Sequence, residues 1–297
     1  MAARAAATEQ RPAQVHRVGF LRERQRPLGD GFFGAMRKLG WIEGRNFKME
    51  SRYADSAGQL ATFATDLVQL KVDLIFTNGT AATLAAKQAT ATIPIVFSVA
   101  NDPVQTGIVV SLARPGGNLT GFAYGFYGEK MLDILKAAIP GLVRVAVSND
   151  GGTNIAHAAR LLGVQVLAVE LRQPDKAGDF FASARKAGAG AALIVDDPSL
   201  NAYLRSIGAE ATKSRMPSIG VQRDFAEEGL MSYGPAQGQH WPRLAAQIDR
   251  ILRGAKPRDL PVELPERFEL VINLKAAKTL GLTLPQSLLL RADEVIQ

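Results

Sequence analysis

DLIFTNGTAATLAAKQATATIPIVFSVA, residues 73–100, is the stretch that decides the fold. Its first part, DLIFTN (73–78), is a largely apolar run, which is typical of a strand buried on both faces of a parallel sheet. TAATLAAKQAT (80–90) is rich in alanine and predicts a helix, and IPIVFSVA (93–100) predicts the next strand. A strand, a helix and a second strand form a βαβ unit, so the stretch predicts a parallel sheet.

The same alternation extends outward on both sides of this unit. Strands are predicted at 15–21, 46–54, 143–149, 164–171, 191–197, 229–235 and from 268 onward, and helices at 28–40, 58–70, 154–162, 176–187, 199–213 and 237–253. A Pro- and Gly-rich stretch, LARPGGNLTG (112–121), interrupts the rhythm and separates two groups of strands of similar size. This doubling predicts an α/β protein of two Rossmann-like, doubly wound lobes with parallel sheets. No repeat of fixed period indicates a solenoid or a propeller.

Composition excludes several classes of protein. The 297 residues are 47% hydrophobic and 21% charged, which is typical of globular domains rather than disordered chains. The net charge of +7 comes from scattered Lys and Arg, so nucleic-acid binding is not expected, and an anionic ligand or a solvated basic surface fits better. The absence of cysteine excludes disulfides, thiolate metal sites, cysteine nucleophiles and a lipoprotein anchor. No run of ~18 apolar residues predicts a membrane span.

Residues 1–14, MAARAAATEQRPAQ, predict a disordered tail or the remnant of a signal peptide. Ala3-Arg4-Ala5 resembles the small-residue cleavage end of a secretory signal, but the apolar stretch expected before it is missing. A start assigned too late and a trimmed chain are both consistent with this pattern.

Binding residues are expected in the loops that follow the strands, because ligands of parallel sheets bind beyond the carboxyl ends of the strands. Asn78, Gly79 and Thr80 follow the first strand of the quoted stretch, and amides at the start of the next helix would receive a carboxylate. A plain helix cap by Asn78 or Thr80 explains the same residues. Ser98 lies near the end of the second strand as a short hydrogen-bonding group. The basic segment 22–26 draws anions toward the site or is a solvated loop, and the solvated loop is favoured.

The second half of the chain offers four more candidates. Tyr124 follows the Pro- and Gly-rich break, where it stacks on a ligand or packs on the next helix. Asn149, Asp196 and Arg223 follow strands, and Arg223 pairs either with a ligand carboxylate or, in a surface ion pair, with Asp224 or Glu227. Asp196 and Asp197 suggest a hydrolase, but neighbours at a strand end point in opposite directions, so one of them is expected to cap a helix.

The usual catalytic signatures are missing. The chain has no G-x-G-x-x-G after its first strand, no G-x-x-x-x-G-K-[ST] and no G-x-S-x-G. The three histidines, His16, His157 and His240, are not spaced as metal ligands are. These observations agree with a binding protein that has no cofactor, no metal and no enzymatic activity.

Longer blocks carry a resemblance to a known family. They are LGW (39–41) with EGRN (43–46), IPIVF (93–97), DPV (102–104), SLARPGGN (111–118) with TG (120–121), GLMSYG (229–234), ILRGAKP (251–257) with LPV (260–262), FELVINLK (268–275) and AKTLGL (277–282). Together they resemble the ABC-transporter substrate-binding proteins related to bacterial tryptophan and aromatic amino acid binders. The resemblance runs from about residue 15 to the end of the chain.

The resemblance implies a type I periplasmic-binding fold, in which two lobes joined by three crossovers hold a ligand between them. Lobe 1 would comprise 15–121 and 235–262, and lobe 2 would comprise 122–234 and 263–297. It further implies a periplasmic monomer that binds a small molecule, with an ABC permease and its ATPase as partners and no catalysis. Carried onto matching positions, the binding residues are Asn78, Gly79, Thr80, Ser98, Tyr124, Asn149, Asp196 and Arg223.

One departure from the family pattern concerns the segment after Ser148. Family members usually carry a longer turn here, whereas this chain has only 149–154 before the next helix. The shortening puts the role of Asn149 in doubt. Two other functions stay open at this stage: a sensory receptor of the same fold, and a Rossmann-like enzyme, which would need an acid–base pair that the sequence does not clearly offer.

Overall fold

The computed structural model describes residues 15–23, 25, 28–99, 102–125, 127–148, 152–171, 173–195, 200, 202–236 and 238–297. The chain divides into two compact units. Unit 1 takes the described residues of Met1–Ser98, Ile108–Gly121 and Trp241–Val262, and unit 2 takes those of Val99–Gly107, Phe122–His240 and Glu263–Gln297. The chain therefore passes from one unit to the other several times.

Unit 1 is built on a sheet of five strands in the order β2-β1-β3-β4-β5. With elements numbered along the chain, its members are β1 (His16–Glu23), α1 (Asp30–Lys38), β2 (Phe47–Ala54), α2 (Ala57–Gln69), β3 (Leu74–Asn78), α3 (Thr80–Ala89), β4 (Ile95–Val99), β5 (Leu119–Ala123) and α9 (His240–Leu252). The end residues of β4, β5 and α9 extend into unit 2. The printed pairings among β1, β2, β3 and β4 are parallel, as the βαβ pattern predicts.

Helices cover both faces of this sheet because successive side chains along a strand point to opposite faces. On one face, Phe32 of α1 stacks on Phe76 of β3, with ring centroids 5.4 Å apart and planes 9° from parallel. On the other face, Leu67 of α2 packs over Gly19, and Thr83 of α3 contacts Thr77 at 2.8 Å. The sheet is thus covered by α1 on one side and by α2 and α3 on the other.

Both tryptophans of the chain lie in unit 1. Trp41 donates from its indole Nε1 to Asp249 at 2.8 Å, and the guanidinium of Arg253 lies 5.7 Å from its ring centroid. Trp241, near the start of α9, has its ring centroid 5.9 Å from that of Phe32. Each indole therefore helps to join α9 to the rest of the unit.

Strand β5 was not predicted, because Asn118-Leu119-Thr120-Gly121 looks like part of the preceding Pro- and Gly-rich loop. Gly121 is nevertheless a strand residue, and a Cβ there would lie 2.2 Å from the carbonyl oxygen of Phe97. Glycine inside a strand often marks such a close approach of two backbones. Gly121, which suggested a loop, is thus needed for β5 to pack against the backbone of Phe97.

Unit 2 is built on a sheet of seven strands in the order β12-β11-β10-β9-β8-β6-β7. Its members are α4 (Gly128–Ala138), β6 (Arg144–Ser148), α5 (Gly152–Leu161), β7 (Gln165–Val169), α6 (Ala177–Lys186), β8 (Ala191–Leu193), α7 (Leu204–Lys213), β9 (Ser218–Gly220), α8 (Arg223–Ala226), β10 (Met231–Pro235), β11 (Phe268–Asn273), α10 (Leu274–Thr279), α11 (Gln286–Leu289) and β12 (Glu294–Ile296). The pairing of β10 with β11 is antiparallel, and the other printed pairings are parallel. The short strand β12 was not predicted, and β9 was implied only by the expectation that Arg223 follows a strand.

Two buried clusters flank the sheet of unit 2. One contains Val145 and Val147 of β6 with residues of α4, α5, α10 and α11, and the other contains Ala146 with residues of α6, α7 and α8. The alternation of Val145, Ala146 and Val147 between the clusters is what a strand buried on both faces requires. Unit 2 is therefore doubly wound, as expected. Within the described part of the chain, none of the helices has both the length and the apolar character that crossing a lipid bilayer requires.

Candidate functional site

The sheet of unit 1 has a point at which its strand order reverses. From β1 the chain goes outward to β2, and β3 then lies on the other side of β1. Such a switch point leaves a crevice beyond the carboxyl ends of the two adjacent strands, which is where ligands of open α/β sheets bind. In this sheet Arg22 of β1 is paired in register with Asn78 of β3, so these two residues border the crevice.

The loop that follows β3 has a fixed backbone conformation. Gly79 is the N-cap of α3 with φ 99° and ψ 151°, a combination that only glycine adopts without strain. Its carbonyl accepts hydrogen bonds from the amide and the hydroxyl of Thr83 at 3.1 and 2.8 Å. The alternative in which Asn78 or Thr80 is the N-cap residue is wrong, because that residue is Gly79, which has no side chain to cap the helix. Thr80, the first residue of α3, is half-buried.

Ser98 lies beside this loop at the end of β4. It is paired in register with Asn78, and its carbonyl accepts from the amide of Gly79 at 2.9 Å. The residue is 2% exposed, and its hydroxyl finds no hydrogen-bond partner among the residues that the structure describes. A buried hydroxyl without a protein partner is unusual, and a bound ligand or water would satisfy it. The structure therefore brings together Asn78, Gly79, Thr80 and Ser98.

Arg22 entered the sequence predictions only as part of the basic segment 22–26. The solvated loop favoured for 22–26 is wrong at this position, because Arg22 is 7% exposed. Its Nε donates to the carbonyl of Glu23 at 3.2 Å. Its position at the carboxyl end of the first strand could have indicated a site residue, but the neighbouring basic residues favoured a solvated loop instead.

The corresponding switch point of unit 2 lies between β6 and β8. Its two sides are joined by a hydrogen bond from the amide of Val195 to the hydroxyl of Ser148 at 2.9 Å. Asn149 and Asp196, the predicted ligand contacts that follow these residues, lie outside the described residues, as do residues 149–151 of the shortened segment after Ser148.

Tyr124 is half-buried in an aromatic group of unit 2. Its ring meets those of Phe122 and His240 edge-on, with centroids 5.3 and 5.5 Å apart. Burial lowers the pKa of His240 to about 4, so its imidazole is neutral at neutral pH. The histidine thus serves as a flat uncharged neighbour of Tyr124 rather than as a cation.

A second aromatic group contains Tyr127, Tyr233 and Phe268. Tyr233 and Phe268 are stacked with centroids 5.6 Å apart, and Tyr127 meets Phe268 edge-on at 5.5 Å. All three are half-buried, and burial raises the pKa of the Tyr233 phenol. Tyr127 precedes α4, Tyr233 lies on β10 and Phe268 begins the antiparallel β11, so the group gathers near the carboxyl ends of the parallel strands of unit 2. Tyr233 and Phe268 were not predicted from the sequence as site residues.

Arg223 is committed to acidic side chains. Its Nε and Nη2 donate to the two oxygens of Glu294 at 2.8 and 2.7 Å, and its Nη1 donates to Glu227 at 2.7 Å. The hydrogen bond with Glu294 and its negative charge raise the pKa of the guanidinium, and the same pair lowers the pKa of Glu294. Arg223 begins α8 rather than ending a strand. The predicted ion pair with Glu227 is confirmed, whereas the two-point contact with Glu294 was not predicted.

Comparisons with known proteins match this architecture. The model of the family described as ABC transporter substrate binding protein matches residues 26–296. The tyrosine-binding protein of Clostridioides difficile is 25% identical over 270 residues, covering 85% of this chain and 76% of the relative. A conserved domain protein from Vibrio cholerae is similar in structure with a TM-score of 0.84, 23% identity and coverage of 95% of this chain and 100% of the other. A protein from Streptococcus pneumoniae solved in complex with L-Trp gives a TM-score of 0.82 at 22% identity, with the same coverage.

Proposed function

This chain belongs to the ABC transporter substrate-binding protein family, and from this membership we propose that it captures an amino acid or another carboxylate, aromatic ones included, for delivery to an ABC permease. The observation that carries the proposal is the family match across 26–296. A relative named for tyrosine binding and a structural neighbour with bound L-Trp favour an aromatic amino acid as the first ligand to test.

The described residues of unit 1 suit the acid group of such a ligand. The crevice beside β1 and β3 offers the guanidinium of Arg22, the buried hydroxyl of Ser98 and the start of α3, which are hydrogen-bond donors. Unit 2 suits an apolar body, because the half-buried rings of Tyr127, Tyr233 and Phe268 lie near the carboxyl ends of its parallel strands. An apolar surface with a few polar anchors is the usual composition of a small-molecule site.

We propose units 1 and 2 as the two lobes of the receptor. The proposed ligand contacts are Asn78, Gly79, Thr80 and Ser98 in unit 1 and Tyr124, Asn149 and Asp196 in unit 2. Arg223 is assigned a supporting role instead, because three of its five N–H groups already donate to Glu294 and Glu227. The protein is further proposed to be a periplasmic monomer that serves a permease with its ATPase and catalyses no reaction, in keeping with its family.

A thermal-shift screen tests the proposal. The purified chain is screened against L-tyrosine, L-tryptophan, the other amino acids and a panel of aromatic and aliphatic carboxylates, and each positive is measured by isothermal titration calorimetry. A ligand at 100 times its Kd stabilises the folded state by about 2.7 kcal/mol, which raises the melting temperature measurably. Ser98→Ala should weaken binding, whereas Ser206→Ala, on an exposed helix position of unit 2, should not. A well-folded sample that no compound stabilises would contradict the proposal.

A further inference from the structure

Arg22 is a buried cation at the carboxyl end of β1. It is 7% exposed, although arginine is among the residues least often buried. The hydrogen bond from its Nε to the carbonyl of Glu23 holds the guanidinium close to the carboxyl end of the strand. Because a guanidinium stays protonated in proteins, Arg22 brings a permanent positive charge to this place.

Arg22, Asn78 and Ser98 form a row across three adjacent strands. Arg22 of β1 is paired with Asn78 of β3, and Asn78 is paired with Ser98 of β4. Residues paired in register point to the same face of a sheet, so the three side chains share one face. Phe20 and Phe76, two residues before Arg22 and Asn78, lie on that face in contact with each other at 5.2 Å. The row therefore continues the α1-covered face as far as the switch point.

The row has the chemistry of an oxyanion site. It combines a guanidinium, a carboxamide and a buried hydroxyl without a partner among the described residues. Hydrogen bonds between a guanidinium and a carboxylate are among the strongest that proteins form, and a guanidinium suits the planar geometry of that group.

We infer that Arg22 is the specificity-determining residue for the acid group of the ligand, and that an ionised carboxylate bound by Arg22 with Asn78 and Ser98 is an obligatory part of what this protein binds. The inference rests on the proposed function and narrows it. Amines and sugars are excluded as ligands, neutral amides of the same shape bind more weakly than the acids, and organic acids without an ammonium group are admitted.

Matched pairs of acid and amide test this on the unmodified protein. Titration calorimetry compares L-tyrosine with L-tyrosinamide and L-tryptophan with L-tryptophanamide, or any other acid that emerges from the screen with its primary amide. Loss of one or two charge-assisted hydrogen bonds predicts that the amide binds roughly 10- to 100-fold more weakly. Tyramine and tryptamine, which lack the carboxylate altogether, are expected to show no measurable binding.

Variants then test whether Arg22 causes the preference for the acid over its amide. Arg22→Gln should bind the acid and the amide with similar affinity, and Arg22→Lys should retain part of the preference. The matched control is Arg17→Gln, which removes an exposed charge near the other end of the same strand and should leave the preference unchanged. Circular dichroism and the melting temperature establish that each variant is folded, and the acid–amide comparison stands without the variants if Arg22→Gln fails to fold.

The outcomes separate this inference from the proposed function. If the unmodified protein binds an acid and its amide equally, or binds only ligands without a carboxylate, the inference is wrong while the small-molecule receptor stands. Discrimination that persists in a folded Arg22→Gln variant overturns it as well. If no compound binds at all, the proposed function fails first.

Discussion

Acidification should destabilise this protein through one histidine. His240 is mostly buried at the start of α9 beside the rings of Phe122 and Tyr124, and this burial lowers the pKa of its imidazole to about 4 from an ordinary value of 6.5. In the unfolded chain the same histidine takes up a proton near its ordinary pKa. Between these two pKa values the unfolded state therefore binds more protons than the folded state.

The sign and the magnitude follow from this difference. Stability rises with pH wherever the unfolded state binds more protons, so the contribution of neutral His240 is present above pH 6.5 and is lost as the pH falls toward 4. The shift corresponds to about 2 kcal/mol of stability lost between pH 7 and pH 5, and to about 3 kcal/mol at pH 4. A loss of this size is a large fraction of the free energy of unfolding of an ordinary domain.

Urea unfolding followed by far-ultraviolet circular dichroism, at a series of pH values between about 7 and 5, measures the effect. Because carboxylates also titrate in this range, the informative quantity is the difference between the unmodified protein and His240→Gln. The variant lacks the titrating group, so its stability should fall less steeply, and the two curves should converge or cross as the pH decreases. Two curves that stay parallel within about 0.5 kcal/mol would refute the assignment of a buried neutral histidine.

Three further perturbations have definite expected results. Gly79→Ala forces a side chain into a conformation with φ 99°, so it should lower the free energy of unfolding by about 1–3 kcal/mol, measured with urea. Gly121→Ala places a Cβ 2.2 Å from a backbone oxygen that cannot rotate away and should lower the melting temperature and the soluble yield sharply, whereas Gly29→Ala, with φ −83° and open space around it, should not. Arg223→Gln removes the two-point contact with a half-exposed Glu294, so it should lower the free energy of unfolding of the protein by about 1 kcal/mol or less. Amide hydrogen exchange near β12 should become faster, and unchanged exchange there would contradict the supporting role of Arg223.

Local patterns in the sequence predict the fold well. The apolar runs of β3 and β4 are bounded by the loops expected of a βαβ unit, and the structure confirms the doubly wound class. The features that were not predicted depend on contacts between residues far apart in the sequence. Gly121 looks like a loop residue until the backbone of Phe97 is known to lie against it, and β12 pairs with β11 although the two helices α10 and α11 separate them along the chain.

Two of the family blocks have structural roles. Asn46 of the EGRN block accepts from the amide of Ile42 at 2.8 Å and donates to the carbonyl of Gly40 at 2.9 Å. Asn118 of the SLARPGGN block donates to the carbonyls of Thr90 and Ile93. These side chains fix turns, which explains why blocks that identify the family so clearly do not indicate its ligand.

The candidate site is predictable where it depends on chain order and not where it depends on burial. Asn78 and Ser98 were expected because they end strands, and they lie together because parallel strands end at one edge. Arg22 was misinterpreted because a basic segment usually indicates solvent, and its burial depends on elements distant in the sequence. The register of β1 with β3 and of β3 with β4 places Arg22, Asn78 and Ser98 in one row.

The location of the two tryptophans has a spectroscopic consequence. Since Trp41 and Trp241 both belong to unit 1, selective indole excitation detects that unit alone, while unit 2 contributes through tyrosine. Indole emission would then follow the melting of unit 1, and circular dichroism would follow the whole chain. Two transitions that do not coincide would show that the units unfold one after the other, and Trp41→Phe would leave Trp241 as a single emitter on α9.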